Sequence, residues 1–343
     1  IGVKMNFFID KVLLFPYYIT LKIRHSLYNK GVLKSKTFNV PVISVGNITV
    51  GGTGKTPHTE LIIKLLQGKA SPIAVVSRGY GRRGNKVVEL DCETSARIGG
   101  DEPLQIKRKF PRVDVCVAKK RADGIDLLLS KERKPEAIIL DDGFQHRAVT
   151  PSKSIVLVDF NRPIFKDNLL PFGRLRDLPS EIKRADIVIV TKCPGELDLW
   201  EIEQWRKSLK LNAEQNLFFT KIEHKELKAL FSEGDNHYLY SKEAILCTGV
   251  ANDTPLVYHL CDTYNIKVHK QFGDHHRYRK SDIKKFEKIS RKYPRAIFIT
   301  TEKDAVKLRE LSMSDSLKKK FFFAPMEILF SGNGEEKRFV ELL

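Results

Sequence analysis

Three features of the sequence predict an α/β fold whose mostly parallel sheet carries helices on both faces. Short, wholly apolar runs alternate with helical stretches along most of the 343 residues, as expected for strands buried on both sides and joined by helical crossovers. The first run, Val40–Val45, feeds a glycine-rich loop that ends in Gly54-Lys55-Thr56, and a helical pattern follows from Thr59 to Gln67. A later run, Ala137–Leu140, stops on two acids, Asp141 and Asp142.

Strand, glycine loop and helix start together form a phosphate cradle of the P-loop NTPase type. Glycines let successive N–H groups turn inward, and the helix N-terminus adds partial positive charge. Thr49, Gly51, Gly52, Thr53 and Gly54 would line the cradle, Lys55 would reach the β/γ-phosphates, and the Thr56 hydroxyl would hold Mg²⁺. The usual pattern places a glycine where this chain has Thr49; Gly46, Gly51 and Gly52 supply the flexibility instead. Four apolar residues closed by an acid form a Walker B strand, so Asp141 and Asp142 are expected at the same Mg²⁺.

The elements are then read in order. Residues 5–30 are aromatic-rich and basic, and the uncharged run Val12–Leu21 is far short of the ~20 residues that span a bilayer. Two readings stand: an amphipathic helix lying in a membrane interface, kinked at Pro16, or a helix packed on the protein's own core. The chain opens on Ile1, and Met5 is read as a start with Ile1–Lys4 ahead of it.

Beyond the cradle come a strand at Ile73–Ser77, a basic loop Arg78–Gly84, a helix near Leu104–Lys109, a strand at Val113–Val117 and a helix at Arg121–Ser130. Ile155–Val158 and Ile187–Val190 are further strands, and Leu199–Leu209 is a charged helix. A second α/β set follows at Ala244–Thr248, Lys267–Lys270 and Ala296–Thr301, which makes a smaller second domain; Lys318-Lys-Lys320 reads as a solvated face.

Lys and Arg number 60 against 42 Asp and Glu, a net charge of +18. That balance favours an anionic partner: nucleic acid, an acidic membrane or a phosphorylated substrate. The five cysteines are scattered, which argues against a zinc site or a disulfide framework and suits a reducing compartment.

Three clusters could carry chemistry beside the cradle. Gly99-Gly-Asp-Glu-Pro103 holds Asp101 and Glu102 on a constrained turn, and Asp141–Arg147 joins the acids to Gln145, His146 and Arg147. Gly273–Arg277 sets Asp274 beside His275 and His276. Phosphoryl transfer to an alcohol needs cations on the phosphoryl group and an acceptor for the hydroxyl proton, for which an Asp or an Asp–His pair is suited.

Seven motifs in this order resemble those of the tetraacyldisaccharide 4′-kinase family. They are Val45–Pro57, Ser77-Arg-Gly-Tyr-Gly81, Gly100-Asp-Glu-Pro103, Asp141–Arg147, Gly173-Arg-Leu-Arg-Asp177, Phe272–Tyr278 and Thr301-Glu-Lys-Asp-Ala-Val306. The resemblance implies a peripheral kinase at the cytoplasmic face of the inner membrane, with ATP·Mg²⁺ as donor. It implies a lipid acceptor, the 4′-hydroxyl of a tetraacylated glucosamine disaccharide 1-phosphate of lipid A biosynthesis. It further implies Asp101 as the base and His275, or its neighbour His276, as the assisting histidine. Lys55, Asp141 and Asp142 then serve at the donor, and Arg78, His146, Arg176 and Asp177 near the acceptor. Asp177 stands where the family commonly has Glu, one methylene shorter. The domains expected are residues 1–35 as a membrane-interface helix, 36–215 as the P-loop kinase core and 216–343 as a smaller α/β domain. An anionic membrane surface is the implied partner, and no required protein partner is implied.

Other classes fit less well. Partitioning or targeting ATPases share Gly-Gly-Thr-Gly-Lys-Thr but carry lysine where this chain has Val50. A GTPase needs an acid after Thr191-Lys192-Cys193, where Pro194 stands. The charge invites nucleic acid, yet no helix-turn-helix, zinc or aromatic RNA-binding signature accompanies it.

Overall fold

The computed structural model describes residues 7–343; Ile1–Asn6, with the expected start at Met5, lie outside the described residues. A helix, Phe7–Asn29, comes first. In chain order the strands are β1 (Val42–Asn47), β2 (Ile73–Ser77), β3 (Val88–Leu90), β4 (Asp114–Val117), β5 (Ala137–Asp141), β6 (Lys153–Asp159) and β7 (Ile187–Thr191). There follow β8 (Asn216–His224), β9 (Lys228–Ala229), β10 (Glu243–Thr248), β11 (Asn265–Gln271), β12 (Ile297–Thr301), β13 (Phe321–Ala324) and β14 (Met326–Phe330).

Nine strands form one sheet in the order β14-β8-β7-β6-β1-β5-β2-β4-β3. The seven inner strands are parallel, and β3 and β14 close the two edges antiparallel. Period-two alternation gives the sheet two apolar faces. Ile43, Val45, Val75 and Ile139 pack with Ile62 and Ile63 of the helix Lys55–Leu66. On the other face Val42, Val76 and Ile138 meet Ile125 and Leu128, while Val156, Val158 and Val188 meet Ile48, Phe144 and Leu21 of the first helix.

The second sheet has the order β11-β10-β12-β13-β9, parallel except at β9. Its strands all fall between Lys228 and Ala324, because β8, β14 and the last helix, Glu335–Leu342, belong to the large layer. The sheets therefore partition the chain differently from a single cut at 215/216, and we propose an inserted second unit of about residues 225–325. The lysine cluster also differs from its expected solvated face. Lys320 is buried, donates to the Pro294 carbonyl at 2.7 Å and is pushed down by that burial.

Phe339 ties the last helix down: it is fully buried, with Phe218 edge-on at 5.2 Å and Phe330 at 5.1 Å. Phe339→Ala is expected to cost about 3–5 kcal/mol of unfolding free energy, read from urea denaturation. A loss under about 1 kcal/mol would detach this helix from the large core.

Candidate active site

The strand order places β1, β5 and β2 side by side, so the cradle, Asp141-Asp142 and Ser77-Arg78 leave the sheet along one carboxyl edge. Ligands of open α/β sheets bind beyond such an edge. Val45 and Asp141 are partners in the β1–β5 register. Gly46 in β1 is required by packing, since a Cβ there would lie 2.6 Å from the Phe144 Cβ.

The cradle loop is held from three sides. Asn47 Nδ2 donates to Thr53 Oγ1 at 2.6 Å, and Thr191 Oγ1 donates to the Thr53 carbonyl at 3.0 Å. Lys192 Nζ donates to the Gly52 carbonyl at 2.5 Å and pairs with Asp159 at 2.6 Å. His58 lies 2.7 Å by Nδ1 from the Gly54 carbonyl, so Nδ1 carries the proton and Nε2 accepts from the Thr220 hydroxyl at 2.9 Å. Burial pushes His58 down to about 4, which keeps it neutral. The segment Arg174–Arg176 runs against the loop, with Val50 N donating to the Arg174 carbonyl at 2.7 Å and Arg176 N to the Ile48 carbonyl at 2.9 Å.

The two neighbouring acids have opposite surroundings. Asp141 is buried and accepts from the hydroxyls of Thr59 at 3.2 Å and Ser77 at 3.4 Å. Burial first, then the charges of Glu102 and Asp142, push it up to about 7. Asp142 turns outward at φ 51°. Arg176 clamps both of its oxygens, with NH1 at 3.0 Å from Oδ2, and Lys55 stands 3.9 Å away. Although burial raises its pKa, Arg176, Lys55 and Arg121 hold Asp142 below the usual carboxylate range.

Arg121 escaped the sequence reading. It is buried, donates to the Asp142 carbonyl at 3.0 Å, and its backbone N–H faces His146 Nε2 at 3.3 Å. Burial, then Arg121, Arg78 and Arg24, push His146 down to about 4, so the ring is neutral. Arg78 is exposed at the end of β2.

Asp101 starts the helix Asp101–Lys109. Gly100 before it has φ 85°, and a Cβ there would sit 3.2 Å from the Gly79 Cα. Only glycine therefore suits a turn pressed so closely on the Arg78–Gly81 loop. His275 reaches across from the second unit, its Nδ1 3.0 Å from Asp101 Oδ2. His276 goes elsewhere, to Asp282 at 3.2 Å, and stacks on Phe272. Although burial raises Asp101, the His275 hydrogen bond and the charges of Lys303, His275 and Lys307 hold it below the usual range. The same hydrogen bond raises His275.

Asp177 is not at the crevice surface. It is fully buried, its Oδ1 2.6 Å from His25 Nε2 of the first helix and accepting from Leu178 N at 2.9 Å. Its shorter side chain meets the first helix. The same helix donates from Tyr17 to the Arg176 carbonyl at 2.9 Å and from Arg24 to the Gln145 carbonyl at 2.7 Å. These partners lie more than a hundred residues away, beyond any local sequence signal. Among the described residues no helix is long and apolar enough to cross a membrane, and no three His, Cys, Asp or Glu side chains cluster as a metal cage.

The model of the LpxK family, tetraacyldisaccharide-1-P 4′-kinase, matches residues 11–343. The chain belongs to this kinase family. It is 41% identical over 324 residues to the tetraacyldisaccharide 4′-kinase of Phocaeicola vulgatus, covering 92% of this chain and 88% of that protein. The enzyme of Porphyromonas gingivalis is 38% identical over 336 residues, with 95% and 93% covered. The crystal structure of the "apo" form of LpxK from Aquifex aeolicus in complex with ATP superposes with a TM-score of 0.73 at 28% identity, over 97% of this chain and 98% of that one. The P-loop α/β fold and the kinase class expected from the sequence are thus established, and the partitioning-ATPase alternative is not favoured.

The buried Asp141 carboxylate has a consequence for stability. Its pKa is raised on folding, so the stability it contributes is present below its unfolded value near 4 and lost as pH rises through about 7. Asp141→Asn is expected to raise the unfolding free energy at pH 8 by about 1–3 kcal/mol in magnesium-free buffer, with no gain below about pH 4. Urea titrations at the two pH values check this.

Proposed function

We propose that this kinase transfers the γ-phosphoryl group of ATP to the 4′-hydroxyl of a tetraacylated glucosamine disaccharide 1-phosphate, with Asp101 as base. The observation that supports this reading is the Asp101–His275 pair, an acid and a histidine brought to 3.0 Å from positions 174 residues apart.

A nucleotide with its cation suits the residues present. Gly51 at φ 101° and Gly54 at φ 87° open the loop, and a Cβ on Gly52 would meet nothing within 4 Å. Asp141 is an enclosed acid whose neighbours are two hydroxyls and two other carboxylates, with Lys55 as the opposing charge, and a second cation would offset the excess of acid. Thr56, Asp141 and Asp142 would hold Mg²⁺, which supplies charge neutralisation across the phosphoryl oxygens when bound. Loop N–H groups and Lys55 orient the phosphates. Asp101 takes the hydroxyl proton as the acceptor oxygen bonds to the γ-phosphorus and the bond from that phosphorus to the β–γ bridging oxygen breaks, with ADP leaving; His275 keeps the Asp101 carboxylate in place. Arg176, already committed to Asp142, aligns that acid; Arg78 and the neutral His146 face the acceptor side. Asp177 acts through His25 as a positioning residue.

The first helix supports a peripheral place at the cytoplasmic face of the inner membrane. Leu21 and His25 point inward, while Phe15 and Ile23 are 60% and 54% exposed. Spaced eight apart, these two lie on one stripe beside the exposed Lys22. An apolar stripe flanked by a cation, on a chain of charge +18, fits the interface of an anionic leaflet.

Asp101→Ala should lower kcat by about 10²–10⁴-fold with little change in KM for ATP, measured by transfer of radiolabel from ATP to the lipid disaccharide 1-phosphate. Wild-type turnover in that variant would remove the base assignment. The double substitution Phe15→Ser with Ile23→Ser should weaken sedimentation with anionic vesicles by about tenfold, at roughly 1–2 kcal/mol for the two side chains. Activity on detergent-dispersed substrate should stay near wild type; unchanged vesicle binding would refute the membrane face.

A further inference from the structure

The helix Asp101–Lys109 ends on three cations, Lys107, Arg108 and Lys109, and the last of them joins three helices at one ammonium. Lys109 Nζ donates to Glu60 Oε2 at 2.7 Å and lies 2.9 and 3.0 Å from the two oxygens of Glu302. Glu60 belongs to the cradle helix Lys55–Leu66, and Glu302 opens the helix Glu302–Leu308 of the second unit. The other oxygen of Glu60 accepts from Gln105 Nε2 at 2.8 Å. Both partners of this carboxylate therefore come from one helix, a turn apart. Glu60 and Glu302 are only 4% and 11% exposed, so water screens neither charge well.

We propose that Lys109 is a positioning residue for phosphoryl transfer: it fixes the spacing between the cradle helix and the second unit by holding two enclosed carboxylates that repel each other without it. The inference rests on the reading of the cradle as the donor site. The cradle helix begins with Lys55 and Thr56, the next helix with Asp101, and the third with Glu302 and Lys303. Lys303 meets Glu102 at 3.2 Å, so the second unit grips the helix Asp101–Lys109 near both of its ends, about 10 Å apart at 1.5 Å per residue. Among the described residues, Lys109 is the cation ion-paired both to the cradle helix and to the second unit.

Few other charges bear on the two carboxylates. Lys64 stands one turn along the cradle helix from Glu60 and is itself paired with Glu327 of β14 at 2.6 Å. The charge of Arg309 is felt at Glu302, but its Nε donates to the Leu230 carbonyl at 3.0 Å. Lys303, next to Glu302, is turned to Glu102 and Asp274. Burial pushes Glu60 up; Lys109 opposes that rise and Glu302 adds to it. Burial lowers Lys109, yet the two acids raise it overall, so it stays charged. Without the lysine, two negative charges face each other, and a shared proton is what would let them approach.

The test is steady-state transfer from ATP to the lipid disaccharide 1-phosphate at about pH 8.5 and about pH 6. At the higher pH Lys109→Met should lower kcat about 10- to 100-fold, the scale of a misplacement near 1 Å, and leave KM for ATP within about threefold. At the lower pH the loss relative to wild type should shrink by about threefold or more, because Glu60 without its cation rises further and takes up a proton. Lys109→Arg should keep most of the rate. Adding Glu302→Gln to Lys109→Met should restore about fivefold or more at the higher pH, since it removes one of the two charges. A lysine that only packs would make the double variant worse. A loss equal at both pH values, no recovery in the double variant, or wild-type turnover in Lys109→Met would overturn the proposal. If Lys109→Met fails to fold by circular dichroism, Lys109→Gln is read in the same way. Wild-type turnover in Lys55→Ala would reject the donor site on which the inference rests, whereas an inactive Lys55→Ala beside an unaffected Lys109→Met rejects this inference alone.

Discussion

One hydrogen bond, from His275 to Asp101, joins residues 174 positions apart, and the site depends on it. Several further pairs join the same two parts of the chain. Arg108 donates to the Val306 carbonyl at 2.9 Å, and Arg277 to the Gly81 carbonyl at 2.9 Å. Lys109 stands between Glu60 of the cradle helix at 2.7 Å and Glu302 of the Lys303 helix at 2.9 Å. Burial raises the Glu60 pKa, and Lys109 works against that rise. Each of these charges would be costly to bury alone, so the contact face is stable as a set of matched pairs.

The same logic separates Asp141 from Asp142. Adjacent in sequence, one is enclosed beside other acids and the other is clamped by arginine. Two carboxylates whose surroundings push their proton affinities apart can take different tasks. Asp141 sits among an excess of acid that Lys55 only partly offsets, and Asp142 is joined to the Arg176 segment.

Much of this was legible in the chain, for local reasons. Ile73–Ser77 coincides with its expected span, and β5 and β7 extend theirs by one residue, because continuous burial leaves a continuous apolar run; Leu199–Leu209 also coincides, its start fixed by the Asp198/Glu201 capping box. β8 and β14 were missed: Asn216–His224 and Met326–Phe330 mix charged with apolar residues, as strands near a sheet edge do. The proposed insertion of the second unit was hidden for the same reason. Lys55, Asp101 and Asp141 announced themselves through glycine and strand-end signals. Arg121, His25 and the burial of Asp177 did not, since each is defined by a partner from another part of the chain. Lys303 was visible as a motif but not as a contact.

The His25–Asp177 contact sets a length scale. The exposed Phe15 and Ile23 and the buried His25 lie on different sides of one helix, whose diameter is about 10 Å. On the proposed orientation, one side of the helix rests among headgroups while the other is bonded next to Arg176, the residue that clamps Asp142. The helix would then act as a spacer, holding the catalytic crevice about one helix diameter above the acyl chains. A disaccharide could be phosphorylated at that height without its lipid tails leaving the bilayer.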